Sequence, residues 1–426
     1  MRRFEWSTLS EKDRRAALAR PSRRADARVI DAVAAILGEV EAEGARAVAR
    51  WSEKLDRAAP LAVDLSPAVV AAARARLAAD DLAAIERAVE NVRRHHEATA
   101  PRPCETEPFP GVFCRQVWRP VRAAGLYVPG GAAPLVSTLI MLAEPARAAG
   151  VPERIVVTPP QKGERIAPAM IAAAALSGVE VVQSVGGAQG VAALAFGAGL
   201  PRADKIFGPG NAFVAEAKRQ VAARGLAAID LPAGPSELLV IADAAADPAI
   251  VAADLLSQAE HDADAQVILV ALGGCVADRV LAEIARQTET LPRAVIARAS
   301  LAEMRVVIAD SRQAALDIAN AYAPEHLSLN VEDAAAWIDG VESAGAVFVG
   351  AASAESFGDY LAGPSHVLPT DGAARVVGGV TVQSFMKPLS VQTLTIPAAR
   401  ALAPAAARLA RLEGLEAHAR AAEARL

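Results

Sequence analysis

From Arg154 onward the chain alternates short β-branched runs with alanine-rich stretches whose apolar positions recur at helical spacing. This is the pattern of strands that cross to parallel neighbours through helices. "RIVVTPP", "VEVVQSV" and "ADKIFGPG" supply strands of one α/β domain, and "SELLVIAD", "AQVILVAL", "RVVIAD" and "AVFVG" supply those of another. Before residue 100 the pattern is helical. Ser66 can cap a helix opened by Pro67, charged and apolar residues from Val69 to Val92 recur at helical spacing, and His95 and His96 close that helix as imidazoles facing solvent. The segment 397–426 reads as an Ala/Arg-rich helix interrupted at Gly414, a tail of the kind that packs on another domain or subunit.

Composition narrows the partners. The 426 residues are enough for two or three domains that each bury a core, so no structural metal is needed for folding. With 44 Lys+Arg against 49 Asp+Glu the formal net charge is -5, and no dense basic run occurs, which argues against nucleic acid or an anionic membrane and for a small-molecule partner. Three scattered cysteines form no CxxC, so neither a disulfide framework nor a thiolate zinc site is expected. The opening "MRRFEWSTLSEKDRR" lacks the apolar stretch of a secretory signal, which predicts a cytoplasmic protein. The uncharged run Ala123–Ala143 is broken by Pro129, Pro134 and glycines, so it predicts buried loop and core helix in place of a membrane span.

Glycine-rich turns follow several strand-like runs, "YVPGGAAP", "VGGAQG" and "GPGNAF", where backbone N–H groups could approach a phosphate. None completes GxGxxG, because Phe213 stands where a third glycine would follow Gly208 and Gly210, and tight turns explain them equally well. Asp247 and Pro248 open a helix that places Gln258 and His261 on one face near its end, a spacing that permits shared metal ligation but also suits a polar helix end. Among six histidines, His326, His366 and His418 interrupt apolar sequence, and Asp359 precedes His366 where glycine and proline forbid a long helix. Without cysteines, a zinc ion would have to be held by His, Asp and amide oxygen. Singly, each of these residues has an ordinary structural explanation.

In order along the chain, "FEWSTL", "LYVPGGAAPL", "GGAQGVAALAFG", "DKIFGPGNAFVAEAKR", "IDLPAGPSELLVIAD", "LLSQAEHDADAQ", "YAPEHLSL", "ESFGDYLAGPSHVLPT" and "LEGLEAHA" resemble the histidinol dehydrogenase family over nearly the whole length. Pattern and resemblance together predict an α/β fold of two Rossmann-like domains with a helical N-terminal region and a helical C-terminal dimerisation tail. The expected division is an arm of residues 1–25, a first domain of 26–126 with 236–380, a second, NAD-side domain of 127–235, and a tail of 381–426 exchanged in the dimer. The resemblance implies a homodimer with shared active sites that oxidises L-histidinol to L-histidine, through the aldehyde, with two NAD and one Zn2+ per subunit. By matching position, the zinc ligands would be Gln258, His261, Asp359 and His418. Substrate contacts would add Ser236, His326, His366 and Glu413, cofactor contacts would be Tyr127, Gln189 and Asn211, and Glu325 with His326 would form the acid/base pair.

The chemistry suits these roles. A neutral imidazole such as His326 can take the alcohol proton near pH 7, and a carboxylate such as Glu325 can activate the water that the aldehyde must gain. Adjacent residues of a strand point apart, so Glu325 and His326 need a turn, which Pro324 could provide. The chain departs from the family in lacking a Gly-Asp pair within "EGARAVARW" and in carrying Gly190 after Gln189, positions outside the implied roles. A family dehydrogenase for another small alcohol is the alternative; a solute-binding protein would share the α/β pattern but be exported, for which the opening shows no signal segment, and a zinc hydrolase would share the His/Asp/Glu set but not need NAD.

Overall fold

The computed structural model describes residues 1–21, 27–130, 134–161, 163–231 and 234–426. Parts of the "YVPGGAAP" turn and of "IDLPAGPSE" thus lie outside the described residues, as does the expected arm boundary near residue 25.

Two six-stranded sheets form the body. The first runs Leu61–Asp64, Val181–Ser184, Glu153–Thr158, Ala123–Tyr127, Lys205–Phe207, Ala228–Ile229, all parallel except the edge strand Leu61–Asp64. The second runs Arg2–Glu5, Arg305–Ala309, Gln266–Leu272, Glu237–Ala242, His326–Asn330, Ala346–Val349, all parallel. In each, three successive strands are laid outward from the middle and the chain then crosses to the other side, so both are Rossmann-like units with a switch point beside their first central strand. The strands read as unbroken apolar runs because helices cover both faces; Glu237–Ala242, for example, is buried at every position.

The strands expected for the two domains fall in the two sheets as grouped. What differs is the placement of the N-terminal helices. Ala27–Glu43 packs on the helices Gly187–Phe196 and Ala212–Ala223, and Ala79–Ala98 packs on Val136–Ala148, so these helices cover the first sheet. Their expected grouping with residues 236–380 is therefore corrected: their apolar stripes complete the two cores of the 123–229 sheet. The stretch from Val69 to Val92 is two helices, Pro67–Arg74 under its Ser66 cap and Ala79–Ala98. His96 at the end of the latter is buried with neither ring nitrogen hydrogen-bonded, contrary to the solvent-facing expectation.

The tail does not start as helix. Met386–Leu394 is a strand, antiparallel to Val112–Pro120, which in turn pairs with Cys104–Phe109. Phe385, just before it, stacks on Phe207 at 3.8 Å and anchors the tail to the first sheet, a contact worth about 1 kcal/mol beyond burial. Helices Ile396–Leu412 and Glu416–Glu423 follow, separated at Gly414 as the sequence predicts. They pack chiefly on each other and leave Ile396, Leu409, Leu412 and Leu415 exposed. Among the described residues no helix is long and apolar enough to cross a membrane; the run from Ala123 instead contributes a central strand and the buried helix Val136–Ala148.

Candidate active site

Because the second sheet is parallel, the amino ends of its strands lie along one edge, and most of the candidate residues gather there. Ser236, half-buried, precedes Glu237–Ala242; Glu325 precedes His326–Asn330; the helix Pro248–Ala259, capped by Asp247, brings Gln258 and His261 back to the start of Gln266–Leu272. Open α/β sheets ordinarily bind ligands at carboxyl ends. The candidate edge is the opposite one, whereas Tyr127 and the glycine turns of the first sheet stand at carboxyl ends.

His326 and Glu325 are both held by the backbone of one residue. The His326 Nδ1 donates to the Glu237 carbonyl at 3.1 Å, and a Glu325 carboxylate oxygen accepts from the Glu237 N–H at 2.8 Å. This is how neighbours in sequence serve one place: Ala323 takes a left-handed conformation, Pro324 follows, and both side chains then clasp the adjacent strand. Glu237 in turn is fully buried and grips Arg20 in a two-pronged ion pair at 2.5 and 2.7 Å. A carbonyl only accepts, so the neutral His326 ring carries its proton on Nδ1 and leaves the Nε2 lone pair free. That Nε2 is buried and unpartnered. Burial pushes the imidazole down to about 3 and pushes the Glu325 carboxyl well above the usual range.

A cleft of about 540 Å³ opens beside this pair, lined among others by His326, Phe348, Asp359, His366, His95 and His96. Asp359 sits on the short helix Glu355–Tyr360. Its backbone carbonyl accepts from His366 Nδ1 at 2.8 Å, so His366 Nε2 is the acceptor for the Thr138 hydroxyl at 3.2 Å, a bond that joins the loop after the second sheet to a helix of the first. Burial raises the Asp359 carboxyl, and nearby His261 pulls it back. Gln258 is fully buried, and neither its amide oxygen nor its nitrogen has a partner. An orphaned amide is costly in a folded interior, about 1–3 kcal/mol, and its oxygen is a suitable hard ligand for a cation.

On the first sheet, Tyr127 ends a central strand, and its hydroxyl accepts from Gly187 N–H at 3.1 Å. Buried Gln189 donates to Asp56, whose carboxylate also accepts from Gly186 N–H. Asn211 caps the helix Ala212–Ala223 by accepting from the N–H groups of Phe213 and Val214. Of the two readings left open for these turns, phosphate approach and tight turns, the hydrogen bonds favour the second, since Asp56, Tyr127 and Asp230 already accept from Gly186, Gly187 and Gly208.

Of the candidates, His326, Asp359 and His366 line the cleft itself, whereas Glu413 and His418 sit on the tail. Both tail residues are exposed, and among the described residues of a single chain no group of three His, Cys, Asp or Glu side chains is placed to hold a metal. Glu355 was not singled out in the sequence. It is buried, with one carboxyl oxygen 3.5 Å from His326 Nδ1 and the other unpartnered. Its position within "ESFGDY" carries no sign of burial, because a glutamate in the first turn of a helix is an ordinary surface residue.

Paired Rossmann-like units, with a fixed imidazole beside buried carboxyls on one and glycine turns at the carboxyl ends of the strands on the other, fit an α/β enzyme of the oxidoreductase class. Comparison with known proteins makes this specific. The sequence model of the family described as histidinol dehydrogenase matches residues 19–426, and the chain belongs to that family of oxidoreductases. It is 45% identical to a histidinol dehydrogenase of Xanthomonas euvesicatoria pv. vesicatoria, covering 100% of this chain and 99% of that protein. It is 44% identical to one from Vibrio parahaemolyticus, covering 100% and 98%. The crystal structure of histidinol dehydrogenase from Elizabethkingia anophelis superposes with a TM-score of 0.95 at 37% identity, covering 100% of this chain and 98% of that one.

Proposed function

We propose that this chain, in the cytoplasm, oxidises L-histidinol to L-histidine through L-histidinal, using two NAD, as a zinc-dependent homodimer. The observation that carries this reading is the free, buried Nε2 of His326 beside a cleft that also contains Asp359 and His366. His326 Nε2 takes the proton of the alcohol as hydride leaves the carbon, while Nδ1 stays held by the Glu237 carbonyl at 3.1 Å. Burial keeps the imidazole neutral, with its Nε2 lone pair free. After the aldehyde forms, Glu325 removes a proton from the incoming water while the protonated His326 returns its proton to the aldehyde oxygen, and the hydrate so formed gives its proton to the again neutral His326 as the second hydride leaves. Bound NAD supplies the hydride acceptor, with Tyr127, Gln189 and Asn211 as its contacts on the first sheet.

Zinc would be held by Gln258, His261 and Asp359 together with the partner subunit's His418, and when bound supplies a fixed point for the substrate imidazole and amine. The unpartnered Gln258 amide supports that donor set. Ser236, His366, Glu413 and the ligand residues complete the substrate contacts, with the exposed apolar face of the tail available to seat it on a partner subunit. The test is absorbance at the NADH band after L-histidinol and NAD are added to the zinc-loaded protein. NADH formation that disappears in His326→Asn supports the reading, and turnover of another small alcohol but not L-histidinol overturns the substrate assignment.

A further inference from the structure

We propose that the buried ion pair Lys218–Asp230 is a positioning device that holds the Gly208–Asn211 turn in the shape that receives NAD, an inference that rests on the assignment of Tyr127, Gln189 and Asn211 to that cofactor. Both side chains are almost fully buried, with 3% and 1% exposed. Both grip the same residue, Gly208. Asp230 accepts from the Gly208 N–H at 2.7 Å, Lys218 donates to the Gly208 carbonyl at 2.8 Å, and the two ends meet in an ion pair.

Gly208 needs such a clasp. Its φ of +117° belongs to neither strand nor helix, so no regular ladder satisfies its polar groups, and a Cβ there would sit 1.9 Å from the Tyr127 carbonyl oxygen. The glycine is thereby laid flat on the residue expected to touch NAD, and the turn it starts ends on Asn211, the cap of the helix that carries Lys218. Asp230 arrives from the neighbouring edge strand Ala228–Ile229. Three elements are thus tied at the carboxyl end of the first sheet, at its switch point between Ala123–Tyr127 and Lys205–Phe207. A buried ion pair is weak evidence for stability, since apolar pairs of similar volume often replace one at no net loss, and fixing one arrangement is among its attested uses. Lys218 and Asp230 touch no reacting atom, so their effect is on how often the turn is competent.

The experiment compares the zinc-loaded full-length enzyme with Lys218→Met/Asp230→Leu and with Lys218→Met/Asp230→Asn, in which Asn can still accept from Gly208. If the apolar pair leaves the turn competent a tenth of the time, KM for NAD rises about tenfold, while kcat at saturating NAD and KM for L-histidinol stay within about threefold. The Asn variant, keeping one of the two bonds, falls between. Folded variants with an unchanged KM for NAD overturn the inference, as does loss of folding in the apolar pair combined with an unchanged KM for NAD in the Asn variant. A wild-type enzyme that forms no NADH with L-histidinol would instead remove the NAD reading itself, and the inference with it.

Discussion

Arg20→Met tests the support under the proposed acid/base pair. Glu237 has no exposed surface, and Arg20 retains 15% of its side chain exposed. Removing one partner of a buried ion pair leaves the other charge uncompensated and costs about 3–5 kcal/mol. The Arg20 guanidinium also lies 3.9 Å from the centre of the Tyr322 ring, a cation–π contact worth about 0.5–2 kcal/mol, part of which a Met side chain regains through packing. A net loss of about 3–5 kcal/mol follows. With a denaturant slope of about 3 kcal/mol/M, the urea midpoint falls by about 1–2 M. Tryptophan fluorescence suits the measurement, because Trp6 and Trp337 lie in the same core as Tyr322. Arg20→Met/Glu237→Leu should recover more than half of the loss, since no buried charge remains. A cost below about 1 kcal/mol in the single variant, or a double variant no more stable than the single, would refute the reasoning.

Three further outcomes follow from the same geometry. Glu325→Gln should spare oxidation of the alcohol more than oxidation of supplied L-histidinal, whereas His326→Asn slows both; equal losses in Glu325→Gln remove the division of labour. Burial and the neighbouring His95 push His96 down to about 4 from an ordinary 6.5, so between those pH values the unfolded chain binds a proton that the native one does not. Stability should therefore fall by roughly 3 kcal/mol as pH drops through that window, and His96→Phe should remove this part of the slope; an unchanged slope counts against the burial argument. Finally, His261→Asn and His418→Asn homodimers should each be inactive, yet mixing after dissociation should restore activity in heterodimers, because one site then combines an intact body with an intact tail. No recovery in heterodimers confirmed by mass would place both ligands on one chain.

The seven strands read in the sequence were legible because helices cover both faces of each sheet, which turns strands such as Gln266–Leu272 into continuous apolar runs. Exposed strands were not. Cys104–Phe109 and Met386–Leu394 are almost wholly exposed and carry little apolar periodicity; both exist by pairing with Val112–Pro120, the first as a local hairpin and the second across the body of the chain. The helix that ends at Gln258 was legible from Asp247 and Pro248, local signals both. The N-terminal helices showed their stripes but not which sheet the stripes cover, since amphipathicity names no partner. At the site, the His326 tautomer, the burial of Glu355 and the occupied glycine N–H groups are tertiary facts: each depends on residues 60 or more positions away in sequence or on a neighbouring element's placement. The one exception is the turn at Glu325–His326, which Pro324 announced.

The most direct test of the central claim is the number of NADH formed per L-histidinol consumed, with the product identified by mass. A four-electron oxidation held in one cleft predicts two NADH for each substrate, L-histidine as the product, and little free L-histidinal. One NADH per substrate, with L-histidinal accumulating in solution, would contradict it.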